Sequence, residues 1–276
     1  MNTSRGRKRT PTASSGEEES VVTSATRAVV NAVAIVDRAP IARIDPEEGE
    51  WAAARPRTLV DHAVDGILSA ASRGLILPGD RLSEPDLATR LGMSRVPIRE
   101  ALRILESQGV VTSAPYKGIR LMEVSNARLE HLIDVRVTIE SLACRRAIEA
   151  GHNGAPYAAR LDGAIDELTL MAQRDDIYGF ASADTAFHRL LCSFAGNPVL
   201  DTLWESIARQ LTVLFGLSTM GKSTETIIEE HRRLASVFAD GDIDKMLREL
   251  EEHIRVQALD VNYEEIIAAR RASRGD

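Results

Sequence analysis

Apolar and polar positions along this chain follow two different periods. Over residues 95–105, Ile98, Ala101, Leu102 and Leu105 recur at i, i+3, i+4 and i+7, while Arg95, Arg99 and Arg103 stack on the opposite side. That spacing predicts a helix buried along one face and cationic along the other. Ser94 can cap its start, Pro97 is tolerated in its first turn, and Gly109 stops it. Upstream, Leu77-Pro78-Gly79-Asp80 reads as a turn. Ser83-Glu84-Pro85-Asp86 has the form of a capping box that opens a short helix through Leu91, ended by Gly92. Two short helices joined so tightly predict a helix-turn-helix, whose second helix enters the major groove of DNA. Past Gly109 the period shortens to that of a strand. Val110-Val111-Thr112 and Ile119-Arg120-Leu121-Met122 flank a hairpin with a basic tip at Lys117-Gly118. The sum is a winged helix-turn-helix over residues 56–124, led by a helix from Thr58 to Ser72.

From Ser125 onward every strong segment has helical period. The predicted helices are 126–150, 155–173, 178–195, 198–218, 224–239 and 243–262, separated by Gly, Asn, Asp and Pro breaks. They predict an antiparallel bundle over residues 125–265, with residues 266–276 left as a tail. The expected fold class is mainly α: an N-terminal winged helix-turn-helix followed by an all-α antiparallel bundle.

Several polar residues interrupt the apolar faces of that bundle. On the 178–195 helix Asp184 lies inside the Phe180/Phe187/Leu191/Phe194 stripe, with His188 on its margin one turn away. His231 falls within the Ile227/Leu234/Phe238 stripe, and His253 sits at the edge of the Leu250/Ile254/Val261 face. A carboxylate on the buried side of a helix is expensive unless paired or metal-bound. One reading is four unrelated core residues, each hydrogen-bonded. The other is a joint ligand set for a divalent transition metal (Zn, Ni, Mn or Fe), to which imidazole and carboxylate are suited. On the 126–150 helix, Arg136 and Glu140 lie near the centre of the stripe set by Leu129, Leu132, Ile133, Ile139 and Ala143. Either they form an internal ion pair, or Arg136 projects into a pocket as a clamp for a carboxylate. Arg103 has a similar choice between DNA and the neighbouring Glu100 or Glu106.

Composition refines this picture without changing it. The chain has 276 residues, enough for two domains, and a net charge of −7 that is awkward for a DNA binder. Residues 56–124 carry +1 and residues 125–276 carry −8, so the acidity is segregated from the arginine helix. Residues 1–55 lack sustained periodicity and read as a disordered extension. It serves as a solubilising tail or as a basic arm that brushes phosphates. Cys144 and Cys192 read as core residues without a disulfide, and no secretory signal or membrane span is evident, which predicts a cytoplasmic protein.

The run LPGDRLSEPDLATRLGMSRVPIREALRILESQGVV, followed by the Lys117-Gly118 wing, resembles the DNA-binding domain of GntR-type bacterial transcription regulators. The resemblance implies operator binding by a two-fold homodimer on a palindromic duplex. It implies that Arg95 and Arg99 read bases and phosphates and that Gly118 stands at the wing tip; Ser94, Arg103 and Lys117 are the further expected DNA contacts, from their places on the helix and the basic wing. Val96 and Pro85 depart from the family pattern, so no operator sequence carries over. Asp184-x-x-Phe187-His188, then Gly196-Asn197, His231 and His253, resembles the FCD effector domain of the FadR-like subfamily. That implies one divalent metal on Asp184, His188, His231 and His253, inside a pocket where Arg136 meets a small carboxylate metabolite. The expected function is a DNA-binding regulator, a repressor, whose effector alters operator binding. The alternatives are a regulator for which the ion itself is the signal and a metal-dependent hydrolase.

Overall fold

The computed structural model describes residues 57–114 and 118–275. The predicted extension 1–55 and the wing residue Lys117 lie outside the described residues. The helix predicted from Thr58 is α1 (Leu59–Ser72), opened by a complete capping box. The Thr58 hydroxyl accepts from the Asp61 amide at 3.1 Å, and the Asp61 carboxylate accepts from the Thr58 amide at 2.8 Å.

The helix-turn-helix comprises α2 (Glu84–Leu91) and α3 (Arg95–Ser107). Gly92 lies between them at φ 63°, a left-handed turn that favours glycine. Neither the Ser83 nor the Ser94 side chain makes its predicted capping bond. Instead Pro85, with its preset φ, starts α2, and Glu84 and Asp86 put negative charge at its positive end. Ile98, Ala101, Leu102 and Leu105 form the buried face of α3, as the periodicity predicted, and Pro97 is buried with them.

The hairpin is β2 (Val111–Ala114) and β3 (Gly118–Leu121), and β1 (Arg81–Leu82) adds a third strand in the order β1-β3-β2. All pairing is antiparallel, with Arg81 opposite Arg120 and Thr112 opposite the same residue from the other side. Two residues are too short a run to register as a strand by pattern, so β1 was not predicted.

The bundle contains α4 (Asn126–Glu149), α5 (Ala155–Gln173), α6 (Ile177–Ser193), α7 (Pro198–Ser218), α8 (Thr224–Asp240) and α9 (Ile243–Leu259). These match the predicted helices to within a few residues. The tail expected at residues 266–276 is a correction: Tyr263–Arg274 forms a further helix, α10. Asn262 caps it by accepting from the Glu265 amide at 3.1 Å.

The winged helix and the bundle belong to one compact unit, and α7 holds them together. Ser72 at the end of α1 donates to the Thr212 carbonyl at 3.1 Å. A Cβ on Gly216 would lie 2.4 Å from the Ser72 Cβ, so glycine is what permits this approach. At the end of α3, the Gln108 carbonyl accepts from Gln210 Nε2 at 2.8 Å, and Arg128 of α4 donates to the Gly109 carbonyl at 2.9 Å.

Candidate metal centre and nucleic-acid interface

The three histidines and Asp184 meet inside the bundle. The ligand nitrogens of His188, His231 and His253 all lie within 4.8 Å of one another. Asp184 Oδ1 stands 3.8 Å from His188 Nε2 and 3.6 Å from His231 Nε2. Those separations exceed a hydrogen bond, and Asp184 Oδ1 and His231 Nε2 are buried with no hydrogen-bond partner. His188 Nε2 lies 3.2 Å from His253 Nε2.

Partners on the far side of two rings fix their orientation. His231 Nδ1 lies 2.8 Å from the Ile227 carbonyl, which only accepts, so Nδ1 donates there and Nε2 is the atom turned toward Asp184. His188 Nδ1 lies 2.8 Å from Glu140 Oε2. Burial works to raise the Glu140 pKa, but Arg136 and His188 outweigh it and hold the carboxyl below its usual range. Glu140 is therefore an acceptor, and His188 Nε2 is free to face inward. Burial, assisted by His231 and His188, pushes His253 well below its ordinary value, and burial also lowers His188. For Asp184, burial is outweighed by the neighbouring His231 and His188, so it stays anionic. One carboxylate among three imidazoles, with two buried polar atoms lacking partners, is a donor set that fits a divalent transition metal.

Beside this cluster runs a cavity lined by Arg136, Asp184, Phe215, Ser218, Lys222 and Tyr263 among others. It is tight, with a volume of about 20 Å³. Arg136 makes the predicted ion pair, Nε donating to Glu140 Oε1 at 2.8 Å, yet its Nη2 is buried with no hydrogen-bond partner. The guanidinium also lies over the rings of Phe215 and Trp204, with centroids 5.0 and 5.7 Å from Cζ. The two readings of Arg136 are thus compatible, since one edge of the planar fork is paired and the other is not. Sequence reasoning missed Glu140 as the partner of His188. It also missed Lys222, held by Glu230 at 2.7 and 2.9 Å, and Tyr263 in the cavity wall.

On the reader, Ser94, Arg95, Arg99 and Arg103 are exposed along α3. Arg99 donates to Glu84 of α2 at 3.0 Å through Nη2 and keeps half of its side chain in solvent (52%). Arg103 pairs with Glu100 at 2.8 Å, the first of the acidic neighbours foreseen for it. Gly118 opens β3 at φ 73°, with the Arg81 guanidinium alongside.

Comparison with known proteins decides the family. Residues 59–121 match bacterial regulatory proteins of the gntR family, and residues 131–256 match the FCD domain. An HTH-type transcriptional regulator from the TAR-I ttuE-ttuC' intergenic region of Agrobacterium vitis is 33% identical over 50% of this chain and 81% of its own. The chain belongs to the GntR family and carries an FCD domain.

Further relatives agree. The HTH-type transcriptional repressor RspR of Escherichia coli K12 is 25% identical, covering 66% of this chain and 79% of its own. The solved structure of E. coli McbR/YncC has the same fold, with a TM-score of 0.59 at 22% identity over 79% of this chain and all of that one. GntR regulators bind operator DNA, and FCD domains bind small-molecule effectors. This GntR-family chain is accordingly a DNA-binding transcription regulator and not an enzyme, which removes the hydrolase alternative. Among the described residues, no helix is long and apolar enough to cross a membrane.

Proposed function

We propose that this regulator is a homodimeric repressor of the FadR-like subfamily whose FCD domain senses a small organic acid beside a bound divalent metal. The carrying observation is the convergence of Asp184 Oδ1 and His231 Nε2, both buried and unpartnered, with the imidazoles of His188 and His253. Asp184, His188, His231 and His253 would hold the metal. When bound, it supplies a Lewis-acidic point that attracts carboxylate oxygens. Glu140 fixes the His188 ring, and the free edge of Arg136 offers two-point recognition to the same carboxylate.

Room for the effector must be made. A space of about 20 Å³ accepts one or two waters, so an organic acid enters only as the helices around the cavity move apart. That movement makes effector affinity depend on bundle arrangement, which is the condition for coupling to DNA. On the DNA side, Ser94, Arg95, Arg99, Arg103, Lys117 and Gly118 are the proposed contacts. Arg99 exchanges Glu84 for the duplex readily, because water already screens that exposed pair.

The test is elemental mass spectrometry on untagged protein purified without chelator. About one equivalent of a transition metal per chain is expected. His231→Ala should lose the metal and still bind operator DNA. Protein that is metal-free and takes up none of Zn, Ni or Mn would overturn the site. Operator affinity that follows metal concentration with no organic acid present would favour the ion as the signal.

A further inference from the structure

We infer that α10 is the strap through which the effector cavity acts on the DNA reader, an inference that rests on that cavity being the sensing site. Its two ends touch the two machineries. At its start, Tyr263 is buried and lines the cavity together with Asp184 and Arg136. At its end, Arg274 donates to Asp80 at 2.9 Å and to the Gly74 carbonyl at 2.6 Å. Arg271 donates to the Pro78 carbonyl at 2.7 Å and lies 3.3 Å from the other Asp80 oxygen.

Asp80 is a junction of the reader. Its carboxylate accepts from the Leu77 amide at 2.8 Å, and its carbonyl accepts from the Leu121 amide of β3 at 3.0 Å. Four residues further on, the chain enters the helix-turn-helix at Glu84. A pull on Asp80 therefore reaches the wing and α2 together.

Two features make α10 the wall that yields. The cavity is too tight for an organic acid, so a wall must move, and among α10 residues only Tyr263 is buried. The helix is also stiff. Its twelve residues span about 18 Å, so a tilt at Tyr263 arrives at Arg274 as a displacement instead of being absorbed locally.

A double-mutant cycle tests the strap on the full chain, using a duplex operator selected from random DNA by the protein itself. Tyr263→Ala should change operator affinity by about fivefold or more in the intact protein. In an Arg271→Gln/Arg274→Gln background the same change should shrink below about twofold. Equal changes in both backgrounds overturn the strap. As a second readout, Tyr263→Ala should accelerate amide exchange at Leu77, whose N–H is held by Asp80; unchanged exchange also overturns it. Zinc uptake, measured on the same proteins, should be untouched by the Arg271/Arg274 changes. An unsubstituted chain that takes up no zinc overturns the metal reading and leaves the cycle to be judged by itself.

Discussion

Glu140 touches His188 across 48 residues of sequence, its Oε2 2.8 Å from the ring Nδ1, while its Oε1 accepts from Arg136. One carboxylate thus orients a proposed metal ligand and a proposed effector clamp at once. Removing its charge should disturb both. Glu140→Gln is expected to weaken metal affinity by about 10- to 100-fold, read by competition against a chromophoric chelator. An unaltered affinity would show that the His188 orientation does not depend on it.

Acid should loosen the metal-free bundle. The His253 and His188 pKa values are lowered by burial, so the unfolded chain binds protons that the folded one refuses. Their contribution to stability is complete above the usual value of 6.5 and is lost as pH falls below it toward the folded values. Each refused proton tilts stability by about 1.4 kcal/mol per pH unit. Thermal melts of chelator-treated protein from pH 8 to pH 5 should therefore show a falling Tm beginning near that value. A flat profile would mean that the histidines are not held neutral.

The recognition helix should divide its arginines by role. Arg99→Ala is expected to lower affinity for the selected operator by about 10- to 100-fold, with an unchanged circular dichroism spectrum. Arg103→Ala should act mainly through phosphate, reducing the slope of log affinity against log salt by about one. Operator binding that survives Arg99→Ala would move the reading surface elsewhere.

Gly216 gives a test of how the reader sits on the bundle. A methyl there meets the Ser72 Cβ at 2.4 Å and its backbone Cα at 2.7 Å, neither of which is the end of a flexible chain. Gly216→Ala should gain about 1 kcal/mol in helix propensity but lose about 1–3 kcal/mol to overpacking. A net fall in Tm is expected, and a rise would show that α1 and α7 separate easily.

What the sequence disclosed, and what it withheld, follows the range of the interactions concerned. The buried face of α3 and the polar residues interrupting the bundle stripes were legible because one helix's own period places them. Glu140 was visible as an anomaly on its stripe, but its bond to His188 depends on how α4 packs against α6. The Ser83 and Ser94 caps were over-read, because a capping sequence permits a side-chain bond without requiring it. For α10 the signals were present in Asn262, Glu264, Glu265 and the closing arginines. They were missed because Ile266 and Ile267 form too thin an apolar stripe to announce a helix. No local pattern announces Asp80 as a partner of Arg274, 194 residues away.

The narrowness of the cavity bears finally on time. A site that opens only when its helices part admits visitors at the pace of its own breathing. Capture then levels off as concentration rises, instead of climbing in proportion. A regulator built in this way would be deaf to brief pulses of metabolite and answer to those that last, so under the proposed reading the packing around Arg136 and Tyr263 would set a clock as well as a specificity.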